Sequence, residues 1–213
     1  MRRPRRPKSL AELNIARLAP AAPTLSLTVN SAATPPARVR ILGLDPGSQC
    51  TGYAVVETGT PAAGARVTYV VSGSIRTRGG SLTERLQEIF VGVDRLSNEY
   101  RPDEVAIERI FMHRNADSAL KLGQARGAAL SGTFAVRPRV FEYAPREVKL
   151  AVVGTGGAQK EQVQLMVRRL LNLSGPMGAD AADALAIALC HAHSRKLDGQ
   201  LRNLAVAASG GPQ

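Results

Sequence analysis

Hydrophobic and polar positions from residue 39 onward follow two periods, and the change between them divides the chain into elements. "VRILGLD" (39–45), "TGYAVVE" (51–57) and "RVTYVVSGSIRT" (66–77) are short apolar runs separated by Gly-containing turns, which predicts three consecutive strands in an antiparallel meander. The period then lengthens. Leu82, Leu86, Ile89, Val93 and Leu96 recur at helical spacing behind Ser81 and Glu84, which stand in capping-box spacing. "RPDEVAIERIF" predicts a fourth strand, "HRNADSALKLGQARGAALSGTFAV" a long helix and "RVFEYAP" a fifth strand. Further helices are expected at roughly 145–152, 160–173 and 178–195, before a polar, Gly-rich tail. Three strands followed by alternating helix and strand imply an α/β fold with a five-stranded mixed sheet flanked by helices.

A chain of 213 residues with 44% hydrophobic content can bury one substantial core. Charge divides it further. Residues 1–40 carry eight Lys or Arg against one acid, Glu12, and so hold +7 of the net +11, leaving +4 for the rest. The opening segment also contains six of the 13 prolines and lacks sustained apolar periodicity, so a disordered basic extension is expected over residues 1–38. The folded domain is expected over 39–195 and a flexible polar tail over 196–213. The clustered positive charge points to a polyanionic partner. No apolar run suits a signal peptide or a membrane span, and an acid-poor, Arg-rich start could mimic a transit peptide; a cytoplasmic location is expected. Cys50 and Cys190 lack metal-type spacing and read as buried free thiols.

The candidate chemistry is carboxylate chemistry. Asp45 ends the first strand at an Asp-Pro-Gly turn, where it could cap the turn or face a ligand. Glu108 ends the fourth strand in the same manner, and open sheets place ligands beyond the carboxyl ends of their strands. Asp180 and Asp183, three apart at the start of a helix, project from one face, although acids also serve simply as good helix starts. Four crowded carboxylates repel one another unless a cation neutralises them. A cluster without His or Cys ligands favours magnesium or manganese, and a two-metal site can hydrolyse a phosphodiester. His191 lies about 16 Å along the helix from Asp180 at 1.5 Å per residue, too far to share an ion. The roles of His113 and His193 stay open.

The stretches "ILGLDPGSQCTGY", "GSIRT", "AIERIFMHRNADSALKLGQARG", "FEYAPREVK" and "ADAADALAIAL" resemble, in order and spacing, the RuvC family of Holliday junction resolvases, which have the ribonuclease H-like fold. The resemblance covers residues 40–195; the N-terminal extension has no counterpart in the usual family pattern. It implies that Asp45, Glu108, Asp180 and Asp183 are metal ligands, holding two Mg²⁺ ions per subunit with Mn²⁺ as a substitute. It implies that Lys149 and Lys160 serve the scissile phosphate, where each could otherwise be an ordinary solvated lysine. "GTGG" before Lys160 could offer amides to a phosphate or merely open a helix. Phe111 could stack on an unpaired base or anchor the loop in the core, and Arg114 and Lys121 are expected to contact DNA. The implied activity is resolution of four-way junctions by paired symmetric nicks, in recombination and repair. The implied partners are junction DNA, a second copy of the chain and a branch-migration complex. Ala119, Gly123 and Gly127 form a small-residue stripe suited to close helix approach, either across a dimer or against the protein's own sheet. Actin-like ATPases and sugar kinases share an Asp-x-Gly strand turn but need a far longer chain; a nuclease acting on flaps or RNA is the enzyme alternative.

Overall fold

The computed structural model describes residues 38–59, 66–110 and 116–209, with side chains to residue 201. Its sheet is built from β1 (Arg38–Asp45), β2 (Cys50–Gly59), β3 (Val67–Arg76), β4 (Glu104–Glu108) and β5 (Arg139–Tyr143). Their order across the sheet is β3-β2-β1-β4-β5. The first three strands form the expected antiparallel meander, and β4 and β5 add to β1 in parallel. This is the mixed five-stranded sheet of the ribonuclease H-like fold. β1 is central and covered on both faces, which is why "ILGL" reads as an unbroken apolar run rather than an alternation. Within it Ile41 joins one core and Leu42 and Leu44 the other.

Five helices supply those cores: α1 (Leu82–Tyr100), α2 (Ala116–Ser131), α3 (Pro145–Val153), α4 (Lys160–Leu171) and α5 (Ala179–Ser209). α1 and α2 cover one face through Ile89, Val93, Ala125 and Ala129. α3, α4 and α5 cover the other, where Val152, Val167 and Leu185 pack beneath the sheet. The capping box at Ser81 forms as the spacing predicts: Glu84 N–H donates to Ser81 Oγ at 3.2 Å, and Ser81 N–H donates to Glu84 Oε2 at 2.8 Å. No described helix is long and apolar enough to cross a membrane.

Two helix ends differ from the sequence expectation. α2 stops at Ser131 rather than running to 136: beyond it the backbone tightens into i→i+3 turns, with Thr133 N–H donating to Leu130 O at 2.9 Å and Phe134 N–H to Ser131 O at 3.2 Å, while Gly132 packs closely on α1. The chain turns there, and Thr133 closes the helix by donating its hydroxyl to Leu130 O at 2.7 Å. α5 does not end at 195 but continues to Ser209, through most of the stretch expected to be a polar tail. Nothing from Lys196 to Ser209 breaks a helix except a single Gly199, which costs only about 1 kcal/mol.

α5 crosses β1 and β2 unusually closely. A Cβ on Gly43 would overlap the carbonyl oxygen of Ala184, and one on Gly52 would overlap that of Asp180. Gly52 is the register partner of Asp45 across the β1/β2 pair. The two glycines thus let the first turns of α5 lie directly on the strands that end at the site.

Candidate active site

Asp45 is the last residue of β1 and Glu108 the last of β4. The parallel register pairs Leu44 with Ile107, so the two acids leave neighbouring strand ends side by side. Asp45 is hydrogen-bonded to Glu108. α5 brings Asp183 to the same place, and α3 and α4 bring Lys149 and Lys160. Together these five line a cavity of about 250 Å³ with an apolar wall that includes Val148, Val163 and Ile187.

The electrostatics follow from this crowding. Burial, then repulsion from Glu108, Asp183 and Asp180, pushes the Asp45 carboxyl up to about 7, with Lys160 the opposing influence. Burial also raises Glu108, helped by Asp183; the hydrogen bond from Asp45 and the nearby Lys149 charge pull the other way. Lys160 Nζ lies 2.7 Å from Asp183 Oδ2, and that hydrogen bond holds the ammonium group above its ordinary range. Lys160 is the first residue of α4, whose entry is closed by Gln159 N–H donating to Gln162 Oε1 at 2.8 Å. In "GTGG", Gly154 takes a left-handed conformation (φ +85°) and ends α3 by donating its N–H to Leu150 O at 2.9 Å.

Asp180 stands slightly apart. Its charge acts on Asp45, yet its carboxylate does not line the cavity and instead accepts a hydrogen bond from Cys50 Sγ at 3.0 Å. Cys50 is therefore half-buried at the edge of the site, not buried in the core as expected; Cys190 is the core thiol. Burial, followed by the Asp180 hydrogen bond, raises the Cys50 thiol. Among the described residues, no three His, Cys, Asp or Glu side chains are already arranged around one point as ligands of an ion. The donor set nevertheless suits a hard divalent cation, since every candidate atom is a carboxylate oxygen and burial and mutual repulsion push the Asp45 carboxyl up, a penalty that a cation offsets.

Other expected contacts fall differently. Phe111 and Arg114, with His113, lie outside the described residues. Lys121 is exposed on α2, paired with Asp117 at 2.6 Å, and does not line the cavity. His191 is fully buried and far from the acids' end of the sheet: its Nε2 lies 2.7 Å from Glu104 Oε2 and its Nδ1 2.6 Å from Tyr143 Oη. Arg139 and Arg195 complete the pairing of the buried Glu104 carboxylate. His193 Nδ1 meets Ala151 O at 3.1 Å.

Two contributors were not anticipated. Arg126 on α2 pairs with Glu142 of β5, and its Nε donates to the Glu108 carbonyl at 3.4 Å, backing the strand end from behind. No sequence signal marks it. Gly52 had one: a glycine inside a strand pattern is a mark of close backbone approach.

Comparison with known proteins bears on this site. Residues 41–191 match the family model described as crossover junction endodeoxyribonuclease RuvC. A crossover junction endodeoxyribonuclease RuvC of Methylococcus capsulatus is 52% identical over 158 residues, covering 74% of this chain and 92% of that protein. The solved structure of Thermus thermophilus RuvC in complex with Holliday junction substrate superposes with a TM-score of 0.68 at 35% identity, over 76% of this chain and 97% of the other. The yeast mitochondrial Holliday junction resolvase Ydc2, at 12% identity and a TM-score of 0.59 over 78% of this chain and 84% of its own, shares the fold.

Proposed function

The chain belongs to the RuvC family of crossover junction endodeoxyribonucleases, and from that premise we propose that it resolves Holliday junctions by paired, symmetric nicks on opposing strands, through metal-dependent phosphodiester hydrolysis. A fold alone would not carry this, because one fold hosts many activities. The supporting observation is the meeting of acids from β1, β4 and α5 with two lysines from α3 and α4 in one cavity at the carboxyl end of the sheet.

Asp45, Glu108, Asp180 and Asp183 would hold the ions, which we take to be two Mg²⁺ per subunit with Mn²⁺ able to substitute. Bound there, they would supply a water nucleophile at neutral pH and charge to steady the leaving oxygen. The protein's own groups do the rest. Asp45 and Asp183 would bind the ions as carboxylates, Asp183 in place of its present pairing with Lys160. Lys160 and Lys149 would hold the non-bridging oxygens of the scissile phosphate, where negative charge builds up. The apolar wall keeps competing water out of the cavity. Arg126 and Gly52 position rather than react: one fixes the end of β4, the other lets α5 reach the sheet.

Junction resolution needs two cuts, and each chain has one set of acids, so the working unit is a homodimer. α2 supports this. Among the described residues, a Cβ on Gly123 or Gly127 would meet nothing within 4 Å, so these two glycines face away from the chain's own sheet. Leu120 on the same helix is 63% exposed, as Phe134 is just beyond it. The folded nuclease begins near residue 39 and runs through α5, which ends at Ser209; the basic residues 1–38 add sequence-independent attraction to phosphates, and the protein works in the cytoplasm beside a branch-migration complex. Phe111, Arg114 and Lys121 contact the DNA.

The test compares cleavage of a four-way junction with that of duplex, flap and RNA–DNA hybrid substrates in Mg²⁺. Paired nicks confined to the junction are expected. Equal cutting of flaps or hybrids would replace this reading with that of a broader nuclease.

A further inference from the structure

Beyond the end of β3, four residues, Thr77 to Gly80, carry the chain from Arg76 to Ser81, the N-cap of α1. That segment is fastened throughout. Thr77 N–H donates to Gln49 O at 3.1 Å, and the Thr77 hydroxyl reaches Ser48 O and Gln49 O at 3.1 Å each. Arg78 N–H donates to Glu88 Oε2 at 2.6 Å, and a Cβ on Gly79 would press on Glu84 Cβ at 2.6 Å. These ties leave a cavity of about 490 Å³ between the turn that follows Asp45 and the start of α1.

Three arginines, Arg76, Arg78 and Arg85, line it with Gln49, Cys50, Thr77 and Gly79, and no Asp or Glu is among the lining residues. None of the three arginines forms a salt bridge with a described residue. Arg85 Nε is buried with no hydrogen-bond partner among the described residues. Like charges gathered in a walled space repel, and an unpaired buried donor is destabilising. An anion with several oxygens removes both penalties, and guanidinium forks match the geometry of a phosphate.

This cavity adjoins the acids. Cys50 forms part of its wall and donates its thiol hydrogen to Asp180, whose charge in turn acts on Asp45 in the first cavity. Ser48 and Gly47 alone separate Gln49, in that wall, from the Pro46 that follows Asp45. The two cavities are thus linked through the Cys50–Asp180 contact and the short turn after Asp45.

We propose that Arg76, Arg78 and Arg85 bind one backbone phosphodiester of the junction strand, a short distance along it from the phosphate that is cut, and so fix which phosphodiester meets the acids. The proposal rests on the reading of the chain as a junction nuclease. The experiment uses the full chain and an Arg76→Gln/Arg78→Gln double variant, chosen because both side chains are exposed and Arg85 is not. Junction binding is measured in EDTA against salt concentration. Cleavage in Mg²⁺ is measured on junctions carrying one neutral methylphosphonate, moved nucleotide by nucleotide away from the cut.

The wild-type protein should lose cleavage at one discrete position besides the scissile phosphate. The variant should be indifferent to that position, cut at more than one phosphodiester, and show a log–log salt slope shallower by about 0.9, the value for one lost phosphate contact. An unchanged slope overturns the proposal, as does a shallower slope with no discrete sensitive position in the wild-type protein, which marks a diffuse basic surface. If the wild-type protein neither binds nor cuts the junction, the junction-nuclease reading falls and this site falls with it; if it cuts normally and the variant matches it, only the arginine site falls.

Discussion

Lys160 Nζ lies 2.7 Å from Asp183 Oδ2, so one acid of the cluster is already neutralised by a side chain from a different helix. If that lysine yields its place to a metal ion and turns to the phosphate, its removal must affect rate and ion affinity differently. Lys160→Gln should slow single-turnover cleavage by about 10²-fold or more, the usual effect of deleting one group aimed at developing charge. Mg²⁺ affinity should stay the same or rise, because a competitor for Asp183 is gone. Rescue of the full rate by extra Mg²⁺ would show that Lys160 acts through the ion instead.

Asp45 gives a prediction with a sign. Its carboxyl titrates near 7 in the folded, ion-free protein but near 3.8 when unfolded. Between these values the native state holds a proton that the unfolded state lacks, so stability falls as pH rises from about 4 to 7 and this group adds no further change above that. In EDTA the melting temperature should drop by several degrees across that window. Asp45→Asn, which has no proton to lose, should flatten much of the drop, and so should Mg²⁺ in the wild-type protein. The same variant should abolish nicking while leaving junction binding largely intact, because most phosphate contacts lie elsewhere. A melting temperature equally steep in Asp45→Asn would assign the effect to other groups.

How much of this was legible beforehand follows from the range of each interaction. Asp45 and Glu108 could be read because a polar residue ending an apolar strand is a local signal, and Ser81 and Glu84 because a capping box spans three residues. Arg126 could not: its partners Glu142 and Glu108 lie 16 and 18 residues away, and only the folded sheet joins them. The Cys50–Asp180 contact bridges 130 residues, which is why the thiol read as a core filler. The far end of α5 was missed for a different reason. Leu197 and Leu201 are 59% and 64% exposed, so no buried face stamps a clear apolar rhythm on that stretch.

The basic extension should act on affinity and leave chemistry alone. A chain shortened to begin near Ala37 loses five net positive charges, and its junction binding should weaken most at low salt, with a shallower salt slope. Its maximal cleavage rate at saturating protein should match that of the full chain. Loss of cutting at low salt by a shortened chain that still melts cooperatively would place the extension inside the active unit.

Gly123 tests the dimer without disturbing the monomer. A Cβ there meets no atom of the other described residues within 4 Å, so Gly123→Leu starts into open space. It also replaces the poorest ordinary helix former with one of the best, a gain of about 0.8–1 kcal/mol at an interior helix position. The isolated chain should therefore melt no lower than the wild type. A bulky residue in a stripe that lets two helices approach closely should nevertheless push the subunits apart, weakening dimerisation by sedimentation and separating the two nicks in time. Gly132→Leu is the control. Its Cβ would press on Phe90 O and Asp94 N, so that variant should lose stability in the monomer itself. If Gly123→Leu sediments as a dimer and still makes both nicks together, α2 is not where the subunits meet.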